Sequence, residues 1–192
     1  MCHPALPAIA VGLDGAAAIC DALRDNTALT SLSLASNRSP CNRSTPHGGE
    51  PWGARGAAAV ANALRLCATL RSLILADNGI GDDGVAVLAD ALRVNGTLTS
   101  LDLSESDIGD AGAGALADAL RANCALTELD LTRNNIKVDG CVALGAALRF
   151  NTALRWLHLG SNPVDYGRVA SCGLPLNDAG AELDLERLRG RE

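Results

Sequence analysis

Five segments of the chain alternate leucine with small or polar residues in one shared pattern: LTSLSLASN from Leu29, LRSLILADN from Leu70, LTSLDLSES from Leu98, LTELDLTRN from Leu126 and LRWLHLGSN from Leu154. Four read L-x-x-L-x-L-x-x-N, and the third carries Ser106 in place of the final Asn. The L-x-L alternation predicts a short strand with one buried face. From Leu70 to Leu154 the pattern recurs every 28 residues, whereas Leu29 to Leu70 spans 41, one period plus 13 inserted residues. A fixed period of this length marks stacked units, each of which buries its apolar face only against its neighbours.

The second half of each unit changes period from two to about 3.6, as a helix requires. Gly recurs at 15, 56, 84, 112 and 140, an aliphatic residue follows at Ile19, Val60, Leu88, Leu116 and Leu144, and Leu at 23, 64, 92, 120 and 148. The last two columns lie four apart, on one helix face. Ala22, Ala63, Ala91, Ala119 and Ala147 allow that face to approach its neighbours closely. Asp82, Asp110 and Asp178, each two residues before a Gly, are placed to cap a helix N-terminus. Arg24, Arg65, Arg93, Arg121 and Arg149 form a basic column at the other pole of the helix dipole. Asn26, Asn95, Asn123 and Asn151 come two residues later, where a left-handed C-cap is expected, with Cys67 in the remaining unit.

The strand-end Asn at 37, 78, 134 and 162 suits a buried turn, because its amide can bond the backbone of the adjacent unit. Ser106 is shorter and predicts a local weak point. Ile80, Ile108, Ile136 and Val164 follow and close the core from the loop side.

These columns resemble the ribonuclease-inhibitor-like subtype of leucine-rich repeats, over about Gly12 to Val164. The resemblance implies an α/β solenoid, a horseshoe arc with parallel strands on the concave face and helices on the convex face. The chain reads as a single domain, with an N-terminal half-unit at about 12–28, units from Leu29, Leu70, Leu98, Leu126 and Leu154, and inserted loops at about 38–52 and 163–177. After the second loop a helix-start pattern resumes at Asp178 and Gly180. Asp184 stands there where an aliphatic residue is expected, which predicts a degenerate, polar terminal helix.

In such an arc the residues between the core leucines line the concave face. Its N-terminal end is small and neutral. Ile74, Asp77, Asp102, Glu105, Glu128, Asp130 and Arg133 occupy the centre, and Trp156 and His158 the last unit. This acidic patch with an aromatic edge is the candidate partner site, since carboxylates steer a basic partner and Trp is enriched among dominant interface residues. Trp52 and Tyr166, in the inserted loops, lie with Trp156 outside the repeat core positions. Long loops on a rigid scaffold are frequent binding elements.

Composition narrows the partner. Only 2% of residues are aromatic against 48% hydrophobic, so the core is filled by small and aliphatic side chains. A net charge of −6 argues against unaided binding to nucleic acid or an anionic membrane, and favours a protein with a basic patch. Seven cysteines form no C-x-x-C pair and are odd in number, as for reduced thiols in a cytoplasmic protein. The apolar N-terminus has no Lys or Arg ahead of it and is interrupted by Asp14, unlike a signal peptide.

No nucleophile with a base and no phosphate-cradling Gly loop is recognisable, and Cys41 with His47 is too few ligands for a metal. The expectation is therefore a protein-interaction scaffold with no catalysis, cofactor or metal. A GTPase-activating protein of the Ran-specific type shares the repeat and is the alternative, as is a fragment of a larger receptor or ciliary scaffold. Ser39-Pro40 and Thr45-Pro46 are candidate phosphorylation sites in the first loop.

Overall fold

The computed structural model describes residues 12–37 and 52–164 and the short strand 182–184. Helix and strand alternate along it up to the last two described elements, which are both strands: α1 (Gly12–Ala22), β1 (Ser31–Ser33), α2 (Gly53–Leu66), β2 (Ser72–Ile74), α3 (Gly81–Leu92), β3 (Ser100–Asp102), α4 (Asp110–Leu120), β4 (Glu128–Asp130), α5 (Val138–Leu148), β5 (Trp156–His158) and β6 (Glu182–Asp184). The strands form one sheet in chain order, β1 to β5 parallel. Among the described residues each crossover between parallel strands carries one helix, and consecutive helices pack against each other.

Sequence columns become spatial columns because the register does not slip. Leu32, Leu73, Leu101, Leu129 and Leu157 pair in a row across the sheet. The core they begin is continuous, taking in Leu75, Leu103 and Leu131 from the strands and Val60, Leu88, Leu116 and Leu144 from the helices. Ala63, Ala91, Ala119 and Ala147 are buried, whereas Ala22 in the first described helix is exposed. Glycine at the helix start is a packing requirement. A Cβ on Gly84 would sit 2.6 Å from Ile80 Cγ2, and on Gly140 2.7 Å from Asp110 Oδ1.

Trp52 departs from the sequence expectation. It stands four residues before Gly56, as Ile80, Ile108 and Ile136 stand before their glycines, and it is buried with them in the core rather than held in the loop. Its indole Nε1 is the one buried side-chain polar atom without a hydrogen-bond partner among the described residues.

Two Asn ladders tie the units together. At the strand ends, Asn134 Nδ2 donates to the carbonyls of Leu103 and Leu131, and its Oδ1 accepts from the N–H groups of Ser106 and Ile108. Asn78 and Asn162 likewise donate to the unit before, at Leu34 and Leu131. Ser106 is fully buried, and its Oγ reaches only Ser104 O within its own turn. At the helix ends, Asn123 Nδ2 donates to Leu92 O and Asn95 O of the preceding unit, while its Oδ1 accepts from Ala125 and Leu126 N–H.

That second ladder corrects the expectation of left-handed C-caps. Positive φ falls instead on Ser36, Asp77, Glu105, Arg133 and Ser161, each immediately before a strand-end position, with values of 54 to 57°, on Asp107 at 60° just after Ser106, and on Gly53, Gly79 and Gly81. The helix-end Asn has no need of left-handed backbone, since its own side chain closes the turn.

The C-terminal expectation also changes. Glu182–Asp184 is a strand, not part of a helix, and it pairs antiparallel with β5 through Trp156↔Asp184 and His158↔Glu182. Alternating E-L-D supplies the period of two that a strand needs, and an edge strand covering β5 satisfies its outward backbone groups. Asp178, Gly180, Tyr166, both loop interiors and the Ser-Pro and Thr-Pro dipeptides lie outside the described residues.

Candidate functional site

The open face of the sheet carries two registered rows on either side of the buried leucines. One runs Ser31, Ser72, Ser100, Glu128, Trp156; the other runs Ser33, Ile74, Asp102, Asp130, His158. The period of two puts both rows on the face opposite the core. Asp77, Glu105 and Arg133 stand beyond the strand ends in the left-handed turns, at the rim of the same face. The structure thus lines up the sequence-predicted residues on and beside this one sheet.

The patch is less uniformly acidic than its residue names suggest. Glu105 Oε1 accepts from Arg133 Nη1 at 2.7 Å, with both side chains about half exposed. Glu128 Oε1 lies 3.7 Å from His158 Nε2, an ion pair when the imidazole is protonated. Asp102 Oδ1 accepts from the backbone N–H and hydroxyl of Ser104, and Asp130 Oδ1 from Thr132 N–H. These two carboxylates therefore close their own strand-end turns, a local role that sequence spacing alone left unseen. One Oδ of each points into these bonds, and both residues remain partly exposed. Trp156 is 38% exposed in the row beside Glu128, a large apolar surface at the β5 end of the face.

Both opposing helix poles are satisfied between units. Asp82 Oδ1 accepts from Gly109 and Gly112 N–H, and Asp110 Oδ1 from Lys137 and Gly140 N–H. Asp82 and Asp110 are caps as expected, but each serves the helix after its own. A strand-end loop is short enough to lay the next helix start against the previous one, so the nearest orphan N–H groups belong to the neighbour. Thiol chemistry is quiet by comparison. Cys20, Cys67, Cys124 and Cys141 are free. Burial pushes the Cys20 and Cys141 thiols up to about 11, with Asp21 and Asp110 adding to the effect. Burial also raises Cys67, but bonds from the Thr69 hydroxyl and from Thr69 and Leu70 N–H outweigh it and leave the thiol below its ordinary value. Cys67 thus copies the accepting half of the helix-end Asn and not the donating half.

Among the described residues no group of three or more His, Cys, Asp or Glu is gathered to hold a metal. No helix of the described residues is long and apolar enough to cross a membrane. Asn37 and Asn95 each begin an N-x-S/T sequence, but their side-chain amides are buried and bonded to Leu34 O and Leu64 O, which removes them as exposed glycosylation acceptors.

Parallel strands, one helix per crossover and the L-x-x-L-x-L-x-x-N turn define a solenoid of leucine-rich repeats. A Leucine Rich repeat family model matches residues 66–89, 94–117 and 122–145. Among solved structures, the chain is similar to the leiomodin-1 actin-binding site 2, with a TM-score of 0.67 and 19% identity over 90% of each chain. It is also similar to the tropomodulin C-terminal domain of Caenorhabditis elegans, with a TM-score of 0.61 and 14% identity, covering 92% of this chain and 96% of that one. No curated protein sequence matches the chain. At these identities the shared property is the fold.

Proposed function

We propose that the chain is a non-catalytic protein-interaction scaffold that takes its partner on the open, concave face of the sheet, with the strand-to-helix loops flanking it. The observation that carries this reading is Trp156, exposed on the strand row next to Glu128 and His158 and continuous with Asp102 and Asp130. A rigid indole at the end of a carboxylate-bearing face supplies contact area and steering to a protein with a basic patch. Ile74, Asp77, Glu105 and Arg133 complete the proposed contact surface. The 28-residue period with a helix in every unit supports the ribonuclease-inhibitor-like subtype, and an odd number of cysteines with no C-x-x-C pair supports a cytoplasmic setting with reduced thiols.

The leiomodin-1 structure is that of an actin-binding site, which makes actin the first partner to assay. The test is actin co-sedimentation, followed by capture from lysate with identification of bound proteins, using the native chain beside Trp156→Ala and Asp102→Asn/Asp130→Asn. Asn keeps the turn-closing oxygen and removes only charge. Loss of a specific partner in both variants, with unchanged circular dichroism, supports the reading. Capture unaffected by either variant overturns it.

A further inference from the structure

The helix C-terminal edge of the solenoid carries an apolar row that the core does not use. Leu66, Val94, Ala122 and Phe150 occupy the same position of successive units, and Leu66, Val94 and Phe150 are 53%, 71% and 70% exposed. Those three are most of the exposed large hydrophobics among the described residues, so the exposure is concentrated in one column. Exposed apolar residues scattered singly need no explanation, but a contiguous row marks an interaction surface.

Charge on this edge runs against the whole chain. Arg65, Arg93, Arg121 and Arg149 each precede a member of the row, and Arg71 and Arg155 enter the following strands on the same side. Arg93, Arg121 and Arg149 are helix C-caps, where a cation also meets the negative pole of the dipole. Three residues before each of these four arginines stand Asn62, Asp90, Asp118 and Ala146, so only two of them have an acid on the preceding turn. Asp118 pairs with Arg121 at 3.8 Å, both exposed, and the Arg121 guanidinium lies 5.9 Å from the centroid of the Phe150 ring. A protein of net charge −6 thus presents a cationic, partly apolar edge.

We propose that this edge is a second docking surface, and that its occupant is an acidic amphipathic segment of another protein, apolar side chains seated along Leu66, Val94 and Phe150 and carboxylates meeting Arg65, Arg93 and Arg149. Leu66 and Val94 are one unit apart and Val94 and Phe150 two, so the steps between them are roughly 5 to 10 Å and 10 to 20 Å, from the strand spacing at one limit to the helix spacing at the other. An amphipathic helix presents apolar residues at about 5 to 6 Å steps along one face, so about one or two turns span the first step and about two to four the second. Guanidinium forks are the side chains best matched to carboxylates on such a segment. The surface differs in sign and in position from the acidic sheet face, so the two can hold different partners at once.

The test uses the full chain and a fluorescently labelled helical peptide with Leu at positions i, i+3, i+4 and i+7 and Glu at the flanking positions, followed by fluorescence anisotropy. The expected result is saturable binding that falls by about tenfold or more in Val94→Ser/Phe150→Ser and in Arg93→Glu/Arg149→Glu, the usual scale for truncating dominant interface residues. Both pairs are exposed, and circular dichroism confirms each variant's fold. Trp156→Ala on the sheet face leaves the affinity unchanged. The same peptide with Lys for every Glu binds at least about tenfold more weakly, as charge complementarity demands. Equal binding of the two peptides, or an affinity insensitive to Val94→Ser/Phe150→Ser, overturns the proposal. Concentration-dependent self-association abolished by Val94→Ser/Phe150→Ser overturns the assigned occupant in favour of a second copy.

Discussion

Asp82 lies in the first turn of α3, yet its carboxylate caps α4: Oδ1 accepts from Gly112 N–H at 3.0 Å and from Gly109 N–H at 2.7 Å. Asp110 repeats the arrangement toward α5. A cap that belongs to the neighbouring unit couples the stability of two repeats, so its loss acts on their interface as well as on one helix. Asp82→Ala is expected to destabilise the chain by about 0.5–2 kcal/mol, the range for removing a helix cap. Asp82→Asn, which keeps an acceptor oxygen, is expected to lose less. Urea unfolding of the three proteins checks the order. Equal stability of Asp82→Ala and the native chain refutes the coupling.

Ser106 and Cys67 occupy positions where the other units have Asn, and each has lost part of the inter-unit bonding. Ser106 Oγ bonds within its own turn, while Asn134 spans to the unit before it. Cys67 Sγ lies 3.5 Å from Thr69 Oγ1 but has no N–H to offer a preceding carbonyl, as Asn95 offers one to Leu64. Ser106→Asn and Cys67→Asn are each expected to stabilise by about 1 kcal/mol, the net value of a buried hydrogen bond. Thermal unfolding followed by circular dichroism reads the shift. Any fall in the midpoint on Ser106→Asn means that the turn has repacked around the smaller side chain.

What was legible beforehand divides along the same line. Periodic features were readable, because the 28-residue step fixes strand register, the buried Leu rows and the helix faces. Features that depend on which unit a side chain reaches were not. Asp82 capping α4 rather than α3 and Asn123 reaching Leu92 are contacts across about a period, which residue type and local spacing cannot assign. Trp52 was hidden by its neighbours in a Pro- and Gly-rich insertion, although its spacing to Gly56 matches that of Ile80 to Gly84. The open-face rows were legible as rows, whereas the ties of Asp102 to Ser104 and Glu105 to Arg133 needed side-chain geometry.

Trp52 fills the column that Ile80, Ile108 and Ile136 fill elsewhere, and it carries a buried Nε1 with no partner among the described residues. An unsatisfied buried donor costs about 1–3 kcal/mol, which offsets part of what the larger ring contributes. Trp52→Phe removes the donor and keeps most of the ring, and it is expected to leave stability within about 1 kcal/mol of the native value. Trp52→Ala opens a cavity under Gly56 and is expected to cost about 3–5 kcal/mol. Chemical denaturation separates the two. A loss on Trp52→Phe as large as on Trp52→Ala indicates that the indole N–H is bonded in solution.

Two buried cysteines are expected to make the fold less stable in alkali. Cys20 and Cys141 have folded thiol values pushed up to about 11, first by burial and then by Asp21 and Asp110, against 9.0 for the free side chain. Both groups hold their proton more tightly when folded. Their contribution is therefore fully present below about pH 9, and is lost as pH rises toward about 11, because the unfolded thiols ionise first. The unfolding midpoint is expected to decline across that window, and to decline less in Cys20→Ala/Cys141→Ala measured against its own value at neutral pH. Thiol labelling gives an independent reading at neutral pH. Exposed Cys124 reacts in the native protein, while buried Cys20 and Cys141 react only on unfolding. An identical alkaline decline in the double variant assigns the loss to other groups, and rapid native-state labelling of Cys141 contradicts its burial in the core on α5.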